Sequence, residues 1–449
     1  MTFPSYPSYK KSGISWLGDI PEHWALKRLG HYFKERRERA SDTEFEPLSV
    51  TKNGIVPRLE TAAKTQDGDN RKKVLAGDFV INSRSDRKGS SGLSTMDGSV
   101  SLICTVLIPT GLHGPFIHHL LRSVDFQEEY YRWGKGIVAD LWSTNFSDMK
   151  NIVLGIPPEA EQTQIARFLD HETARIDALI EEQQRLIELL KEKRQAVISH
   201  AVTKGLNPTV PMKDSGVEWL GEVPAHWKVS KLGHYAQILT GFPFPSASFS
   251  HDESDVRLLR GANIGVGSLK WIDTVYWELN EGDMLSSYLM TEGQIVLGMD
   301  RPWISEGMRI ARVTQDDMPC LLLQRVAAIT PNAGLNDEYL YCLLASELFK
   351  AYVEPDLTGV SVPHISPEQI LSFQIPIPPI DEQRMIGGFI KDQLDQMSAL
   401  FQQASESVKL LQERRSALIS AAVTGKIDVR GWQPPASTQA PEPAVAEAV

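Results

Sequence analysis

The chain has 449 residues, of which 42% are hydrophobic, and a formal net charge of −11. This size and apolar content predict a globular protein of two or three domains with a sizeable core. No apolar run approaches the roughly 18 residues of a membrane span, and residues 1–11 lack the apolar centre of a signal peptide, so we expect a cytoplasmic protein. Three dispersed cysteines, Cys104, Cys320 and Cys342, predict buried reduced thiols rather than disulfides or a metal site.

A tryptophan-rich segment opens the chain and recurs later. Residues 12–24 read Ser-Gly-Ile-Ser-Trp-Leu-Gly-Asp-Ile-Pro-Glu-His-Trp, and residues 215–227 read Ser-Gly-Val-Glu-Trp-Leu-Gly-Glu-Val-Pro-Ala-His-Trp, a shift of 203 positions. Such a repeat predicts two similar units in tandem. We expect the large indoles of both copies to anchor each lobe on the long helix of the other repeat: Trp16, Trp24, Trp219 and Trp227.

A variable region follows each copy, at about 25–155 and 228–375. Both regions hold short β-favouring runs bounded by Gly, Asn, Asp and Pro, and short helical patterns are found at 115–131 and 337–352. The combination predicts two mixed α+β lobes.

The two lobes differ in charge. From Lys27 to Lys88 there are 15 Lys and Arg against 10 Asp and Glu, whereas from Lys228 to Phe373 there are 10 against 18. Because DNA is a polyanion, the second lobe must use a local patch if it touches DNA.

Candidate nucleic-acid contacts lie on a loop that follows a predicted strand in each lobe. The loop 84–91 combines cations, hydroxyls and backbone N–H groups, which suit phosphates, and Arg can also bind guanine edges. The equivalent place in the second lobe is 298–303. Such a loop is also compatible with a solvated charge run, but its recurrence after equivalent strands favours binding. The candidate DNA contacts are Arg71, Lys72, Arg84, Ser85, Arg87, Lys88, Arg257, Arg260, Asn263 and Arg301.

Each repeat closes with one long helix, at 156–206 and 377–430. The helices open with Pro-Pro-x-x-Glu-Gln at 157–162 and 378–383, where proline and acidic residues suit a first turn. A heptad stripe predicts that the two helices pair as an intramolecular coiled coil. The alternative is two unrelated amphipathic helices on separate cores. The predicted interface residues are Ile165, Leu169, Ile176, Leu179, Leu186, Leu190, Ile386, Ile390, Met397, Leu400 and Leu411.

No catalytic motif accompanies these elements. The sequence has no phosphate-binding Gly-x-x-x-x-Gly-Lys-Ser/Thr loop, Gly-x-Ser-x-Gly elbow, His-Glu-x-x-His helix or Asn/Asp-Pro-Pro-aromatic loop. We therefore expect a protein without catalysis, metal or cofactor of its own. The Pro- and Ala-rich tail, 431–449, is predicted to be disordered.

The repeats together resemble the specificity subunits of type I restriction-modification systems. The resemblance is carried by the two Pro-Pro-x-x-Glu-Gln openings, the two Trp-Leu-Gly-x-Ile/Val-Pro-x-His-Trp segments and the strand-loop 77–84, and it covers nearly the whole chain except the tail. One departure is Gln294, which replaces the Asp of that strand-loop in the second lobe.

The resemblance implies an α+β fold with a pseudo-two-fold internal repeat: two target recognition domains, at 1–155 and 207–376, separated by an antiparallel coiled coil of the helices 156–206 and 377–430. Each domain would read one half of a split DNA target, and the coil would set the gap between the halves. The implied partners are double-stranded DNA, two methylation subunits that use S-adenosylmethionine, and two restriction subunits that use ATP and Mg²⁺.

Two further functions stay open on the sequence alone. A coiled-coil scaffold that never touches DNA fits the acidic balance. The other is the recognition half of a fused methyltransferase-nuclease, which the sequence does not favour because it shows no truncated catalytic motif at either end. Salt-dependent binding of duplex DNA separates the first alternative from DNA recognition.

Overall fold

The computed structural model describes residues 3–58, 68, 70–136, 142–280, 282–357 and 363–435. The chain forms two compact units: unit 1 comprises residues 1–184 and 405–449, and unit 2 comprises residues 185–404. Each unit therefore contains one lobe together with parts of both long helices. None of the helices in the described ranges is long and apolar enough to cross a membrane.

The lobe of unit 1 is built on a four-stranded antiparallel sheet with the order β10-β9-β12-β4. Smaller ladders, including the three-stranded β11-β8-β5, flank it. The strands are β1 (Tyr9–Lys11), β2 (Asp19–Pro21), β3 (Ala25–Arg28), β4 (Phe33–Glu35), β5 (Arg39–Ala40), β6 (Leu48–Thr51), β7 (Gly54–Pro57), β8 (Arg71–Val74), β9 (Phe79–Asn82), β10 (Ser91–Leu93), β11 (Gly98–Val100), β12 (Cys104–Pro109) and β13 (Val153–Ile156).

The lobe of unit 2 repeats this plan with the sheet β17-β25-β20-β23, in which every pair is antiparallel. The central pair β9-β12 thus corresponds to β20-β25. The strands are β14 (Met212–Asp214), β15 (Glu222–Pro224), β16 (Lys228–Lys231), β17 (Ala236–Thr240), β18 (Val256–Leu259), β19 (Tyr276–Trp277), β20 (Ile295–Gly298), β21 (Trp303–Ile304), β22 (Gly307–Met308), β23 (Ile310–Arg312), β24 (Cys320–Leu322), β25 (Val326–Pro331) and β26 (Gln374–Ile377).

Short helices pack on each sheet, and one long helix ends each repeat. The mixed α+β lobes and the two long helices predicted from the sequence are therefore present. The helices are α1 (Gly114–Arg122), α2 (Val124–Arg132), α3 (Phe146–Met149), α4 (Glu159–Lys204), α5 (Asp337–Leu344), α6 (Glu347–Leu357), α7 (Pro367–Ser372) and α8 (Ile380–Val423).

The glutamine of each Pro-Pro-x-x-Glu-Gln opening ties its long helix to its own lobe. Gln162 is buried, accepts a hydrogen bond from the backbone N–H of His113 at 2.9 Å and donates to the carbonyl of Pro157 at 3.0 Å. Gln383 is also buried, accepts from the backbone N–H of Asn336 at 2.8 Å and donates to the carbonyl of Pro378 at 2.9 Å. This motif has a structural role, because it satisfies backbone groups where α1 and α5 begin.

Trp24 and Trp227 anchor each lobe on the end of the other repeat's helix, as predicted. Both indoles are fully buried. A Cβ atom added at Gly425, just after α8, would lie 3.2 Å from Cη2 of Trp24, and one at Gly205, just after α4, would lie 3.1 Å from Cζ2 of Trp227. Glycine at these helix ends therefore provides both the left-handed backbone and the space that the indole needs.

Trp16 and Trp219 share a core with the other repeat's helix but have their ring contacts within their own lobes. The ring of Trp16 lies 6.0 Å from that of Phe126 in α2, and the ring of Trp219 lies 5.1 Å from that of Tyr352 in α6. The two indoles of each tryptophan-rich segment are eight positions apart, so they reach different neighbours.

The long helices pair in antiparallel fashion. In unit 1, Ile165, Leu169 and Ile176 near the start of α4 share a core with Leu418 and Ala422 near the end of α8. In unit 2, Ile198 and Val202 near the end of α4 share a core with Ile386 and Ile390 near the start of α8. The pairing is the coiled-coil arrangement predicted from the heptads.

The buried seam is shorter than the heptad pattern predicts. Leu190 and Met397 are buried and Leu411 is partly buried against the unit 1 core. Leu179, Leu186 and Leu400 are 39%, 40% and 50% exposed, so the prediction of buried contacts is wrong there. Burial is complete where a lobe also covers the helix; a second helix alone covers only one side.

The chain remains packed past α8. The ring of Trp432 lies 5.3 Å from that of Phe168, and the ring of Phe3 lies 5.1 Å from the same phenylalanine. The predicted disorder from residue 431 is therefore wrong at Trp432, because this indole covers an apolar face of α4. Residues 436–449 of the predicted tail lie outside the described residues.

Candidate nucleic-acid interface

In lobe 1, three backbone hydrogen bonds hold the loop after β9. The N–H of Ser83 donates to the carbonyl of Ile103 at 3.1 Å, the N–H of Thr144 donates to the carbonyl of Ser83 at 3.0 Å, and the N–H of Ser85 donates to the carbonyl of Trp142 at 3.0 Å. We call residues 83–85, 103 and 142–144 the lobe 1 junction. Arg84, at its centre, bridges to Ser143.

Lobe 2 builds the same junction after β20. The N–H of Met299 donates to the carbonyl of Arg325 at 3.0 Å, the N–H of Ile365 donates to the carbonyl of Met299 at 2.9 Å, and the N–H of Arg301 donates to the carbonyl of Pro363 at 2.7 Å. We call residues 299–301, 325 and 363–365 the lobe 2 junction. Its central bridge joins Asp300 to His364, so Arg84 and Asp300 occupy equivalent positions, as do Ile103 and Arg325.

The lobe 1 junction and the turn after it present exposed cations. Arg84 is exposed, and its guanidinium has no hydrogen-bond or ion-pair partner within the described ranges. Arg87 is 67% exposed and lies 3.6 Å from Asp86, while Lys88 pairs with Glu128. Ion pairs at such exposed positions are weak, so phosphates can replace them at low cost.

The lobe 2 junction concentrates cations around one carboxylate. Nη1 of Arg325 lies 3.0 Å from both carboxylate oxygens of Asp300, and Nδ1 of His364 lies 2.7 Å from Oδ1. Nη1 of Arg309 donates to the backbone carbonyl of Asp300 at 3.0 Å, and burial lowers the pKa of Arg309. Arg301 is exposed beside them. The three arginines of this cluster give the acidic lobe a local excess of positive charge, which is suited to a polyanion.

An aromatic cleft adjoins this junction. It has a volume of about 430 Å³ and is lined by Arg301, Trp303, Lys350 and Glu354, among others. The ammonium of Lys350 lies 4.7 Å from the centre of the Trp303 ring, a cation–π distance. The cleft therefore places another cation and an indole next to Arg301.

Two predicted contacts in lobe 1 have structural partners instead. Arg71 is 6% exposed, and its guanidinium donates to Ser99 Oγ at 2.8 Å and to the Ser99 carbonyl at 3.0 Å. Lys72 donates to the carbonyl of Cys104 at 2.7 Å. We withdraw both residues from the candidate contacts, because binding DNA would break these bonds. Ser85 is half-buried in the turn and stays a candidate.

The second predicted loop of lobe 2 is also held from within. Arg257 donates to the carbonyls of Asp316 at 2.8 Å and Met318 at 3.0 Å. Asn263 is fully buried and accepts from the backbone N–H of Arg260 at 3.0 Å, while the Arg260 guanidinium donates to the carbonyl of Asp273. Arg257, Arg260 and Asn263 therefore order this loop, and Arg301 is the predicted lobe 2 contact that remains exposed.

The strand-loop motif has a structural function that survives its substitution in lobe 2. Asp78 accepts hydrogen bonds from Nε of Arg36 at 2.7 Å and from the backbone N–H of Leu75 at 2.8 Å. Gln294 accepts from the backbone N–H of Thr291 at 2.8 Å, the equivalent turn. The departure from Asp to Gln therefore preserves the turn before the central strand.

The sequence prediction missed Ile103 and Ser143 in lobe 1, and Arg325 and His364 in lobe 2. Ile103 and His364 are exposed, and the Arg325 side chain is 60% exposed. These residues lie 20 to 64 positions from the loop residues they pair with, so no local pattern marks them. An alignment of the two lobes by strand order is the signal that reveals them.

Other chemistry is not apparent in the described ranges. No group of His, Cys, Asp and Glu suited to a metal ion occurs there. Burial raises the pKa of Cys104, Cys320 and Cys342 to about 12, which leaves them as neutral thiols. Thiols of this kind are poor nucleophiles and metal ligands.

Comparison with known proteins gives consistent matches. Residues 224–410 match the family model described as "Type I restriction modification DNA specificity domain". The chain is 26% identical over 429 residues to the MjaVIII type I restriction enzyme specificity subunit of Methanocaldococcus jannaschii, covering 92% of this chain and 94% of that protein. It is 32% identical over 205 residues to the EcoAI specificity subunit of Escherichia coli, covering 45% of this chain and 33% of that protein.

A solved structure shares the fold. A chain from a study of the assembly and conformational transition of the type I R-M system aligns with a TM-score of 0.65 at 18% identity, and the alignment covers 90% of this chain and 98% of that one.

Proposed function

We propose that this chain is the DNA sequence-recognition subunit of a type I restriction-modification complex, because residues 224–410 match the family model of its DNA specificity domain and the chain is similar to a specificity subunit along most of its length. Each lobe reads one half of a bipartite target in double-stranded DNA. The chain directs methylation and restriction subunits to that target and catalyses no reaction itself.

The observation that carries this proposal is the repeated junction. Both lobes hold the same loop with equivalent backbone hydrogen bonds, yet they carry different side chains on it: Arg84 and Ile103 are exposed in lobe 1, whereas lobe 2 has the half-buried Asp300 and the exposed Arg325 at the equivalent positions. A common frame that presents different donors and acceptors suits the reading of two different half-sites, because base identity is read from the pattern of donors and acceptors at base edges.

The partners follow from the same proposal. Two methylation subunits supply S-adenosylmethionine-dependent modification of adenine, and two restriction subunits supply ATP- and Mg²⁺-dependent translocation and cleavage. This chain requires no cofactor and acts in the cytoplasm, where it meets DNA. The paired helices α4 and α8 set the gap between half-sites, since half-sites about one helical turn, roughly 34 Å, apart need a rigid spacer.

The test is co-expression with the methylation subunit of the same restriction-modification system, followed by single-molecule sequencing of modified adenines in the host genome. We expect a split motif with a fixed gap, which disappears when this chain is omitted. A stable complex that adds no methylation would refute the recognition role and support the coiled-coil scaffold.

A further inference from the structure

Arg325 has an unusual backbone for an arginine. It lies between β24 and β25 with a φ of +67°, and Arg301, on the adjoining loop, has a φ of +44°. Left-handed backbone at a residue with a side chain costs energy and tends to be retained at functional sites. The Met299 N–H bond to the Arg325 carbonyl places these arginines in one junction, so the strain is concentrated there.

One edge of the Arg325 guanidinium is held and the other is open. Nη1 contacts both oxygens of Asp300 at 3.0 Å, whereas Nε and Nη2 have no partner in the described part of the chain. His364 binds the same carboxylate at 2.7 Å, and the Arg309 guanidinium holds the Asp300 carbonyl at 3.0 Å. Asp300 is therefore fixed from two sides and fixes Arg325 in turn.

The open edge has the geometry that guanine requires. Nε and Nη2 are parallel donors in one plane, which match the O6 and N7 acceptors of guanine in the major groove. The Arg325 side chain is 60% exposed, so a base edge can reach it. A lysine at the same place would keep the charge but lose the paired donors.

The equivalent positions in lobe 1 carry different chemistry. Ile103 takes the place of Arg325, Arg84 that of Asp300 and Ser143 that of His364. Lobe 1 thus lacks an arginine–carboxylate pair at its junction. The two lobes therefore share the backbone hydrogen bonds of the junction and differ in its side chains.

We propose that Arg325 reads a guanine in the half-site of lobe 2 through its Nε and Nη2 atoms, with Asp300 as the residue that positions it. The proposal rests on the proposed function and deepens it, because it names one base and one reader. Asp300 acts through Arg325 and does not itself contact the base.

The test uses the assembled complex of this chain with its methylation subunit and a panel of duplexes. Each base pair of the mapped target is replaced in turn, and competition binding gives the discrimination at every position. We compare the wild type with Arg325→Gly, Arg325→Lys and Asp300→Asn. Glycine accepts the left-handed backbone without strain, so Arg325→Gly preserves folding. Arg312→Ala is the matched control, because Arg312 in β23 also pairs with carboxylates, at 3.1 Å from Asp337 and 3.0 Å from Glu338.

We expect Arg325→Gly and Arg325→Lys to lose discrimination at one G·C pair of one half-site by about 5- to 150-fold, the range of one good bidentate contact. Discrimination in the other half-site stays as in the wild type and proves that the complex is assembled. Asp300→Asn weakens discrimination at the same pair while nonspecific affinity rises, since a negative charge is removed. If Asp300 had only a structural role, its substitution would not lower discrimination at the G·C pair while raising nonspecific affinity.

Several outcomes overturn the inference. Wild-type discrimination in Arg325→Lys, or a uniform loss of affinity across the whole panel, would make Arg325 a phosphate contact or a structural residue. The same loss in Arg312→Ala would assign the effect to the lobe rather than to Arg325. A wild-type complex that prefers no duplex would refute the proposed function instead, so the two failures are distinguishable.

Discussion

Glu161, in the first turn of α4, accepts the hydrogen bonds that join the N-terminal segment of unit 1 to this helix. Its side chain is 6% exposed and accepts hydrogen bonds from Tyr6 Oη at 2.5 Å and Trp24 Nε1 at 2.8 Å, while Nε2 of His23 lies 2.7 Å from its other oxygen. Burial raises the pKa of Tyr6 and its bond to Glu161 raises it further, so the phenol stays a donor.

The Glu161→Ala substitution leaves two buried donors without an acceptor. Tyr6 and Trp24 are 4% and 0% exposed, and each buried orphan costs about 1–3 kcal/mol, so we expect a loss of about 2–6 kcal/mol in unit 1. His23 adds little because its side chain is 38% exposed and can bind water. The equivalent residue in unit 2, Glu382, is the matched control.

Glu382 has fewer buried partners to lose. It pairs with His226 at 2.9 Å, whose side chain is 44% exposed, whereas Nε1 of Trp227 is buried without a partner among the described residues. Glu382→Ala therefore removes one partly exposed pair, worth about 0–1 kcal/mol.

Amide hydrogen exchange read by mass spectrometry suits this comparison, because a chain of two units need not unfold in one step. A loss of 2 kcal/mol corresponds to roughly 30-fold faster exchange by opening. For Glu161→Ala, we expect amide exchange to accelerate at least about 30-fold in the peptides covering 4–24 and 159–170. For Glu382→Ala, we expect an acceleration of less than about 5-fold in the peptides covering 207–227 and 378–390. Equal effects of the two substitutions would refute the assignment.

Three further predictions test the lobes and the helix ends. Arg84→Ala should weaken binding of the target and lower the slope of log affinity against log salt by about one, without altering discrimination in the half-site of lobe 2; an unchanged slope across a salt series would reject this contact. Trp432→Ala uncovers Phe168 and should speed amide exchange at the start of α4 through a loss of about 1–3 kcal/mol, while exchange at the start of α8 stays constant. Because burial raises the pKa of Cys104 and Cys342 to about 12, iodoacetamide at pH 8 should modify them only after unfolding, and rapid labelling of the native chain would contradict their burial.

Sequence reasoning succeeded where the signal is local. The openings 157–162 and 378–383 combine proline, acidic residues and a heptad stripe, and the structure begins α4 at Glu159 and α8 at Ile380. Helix periodicity and first-turn chemistry depend on residues only a few positions apart, so they are legible in one sequence. The mixed lobes and the pairing of the two helices are also confirmed, and the antiparallel direction is the one that the family resemblance implied.

The choice between a contacting and a structural arginine could not be predicted. Arg71 and Arg84 both lie in basic stretches of lobe 1, yet Arg71 is buried against Ser99 and Arg84 is exposed. The difference depends on which side of a strand or loop faces the lobe, and this is fixed by pairing with distant segments. Arg325 shows the limit most clearly, because its role depends on Asp300, 25 residues away.

The two repeats are similar in sequence at the edges of their lobes and different in the lobe interiors. The difference follows from the kind of contact that stabilises each part. The edges depend on side chains: Trp24 needs the space at Gly425, and Gln162 must satisfy the backbone of His113, so these residue types recur in the second repeat. The junctions depend on main-chain N–H and carbonyl groups, which are present whatever the side chain. Exposed junction residues can therefore change, from Ile103 to Arg325 for example, without loss of the fold. A recognition subunit built this way can acquire a new half-site by substitutions at a few exposed positions while its frame stays intact.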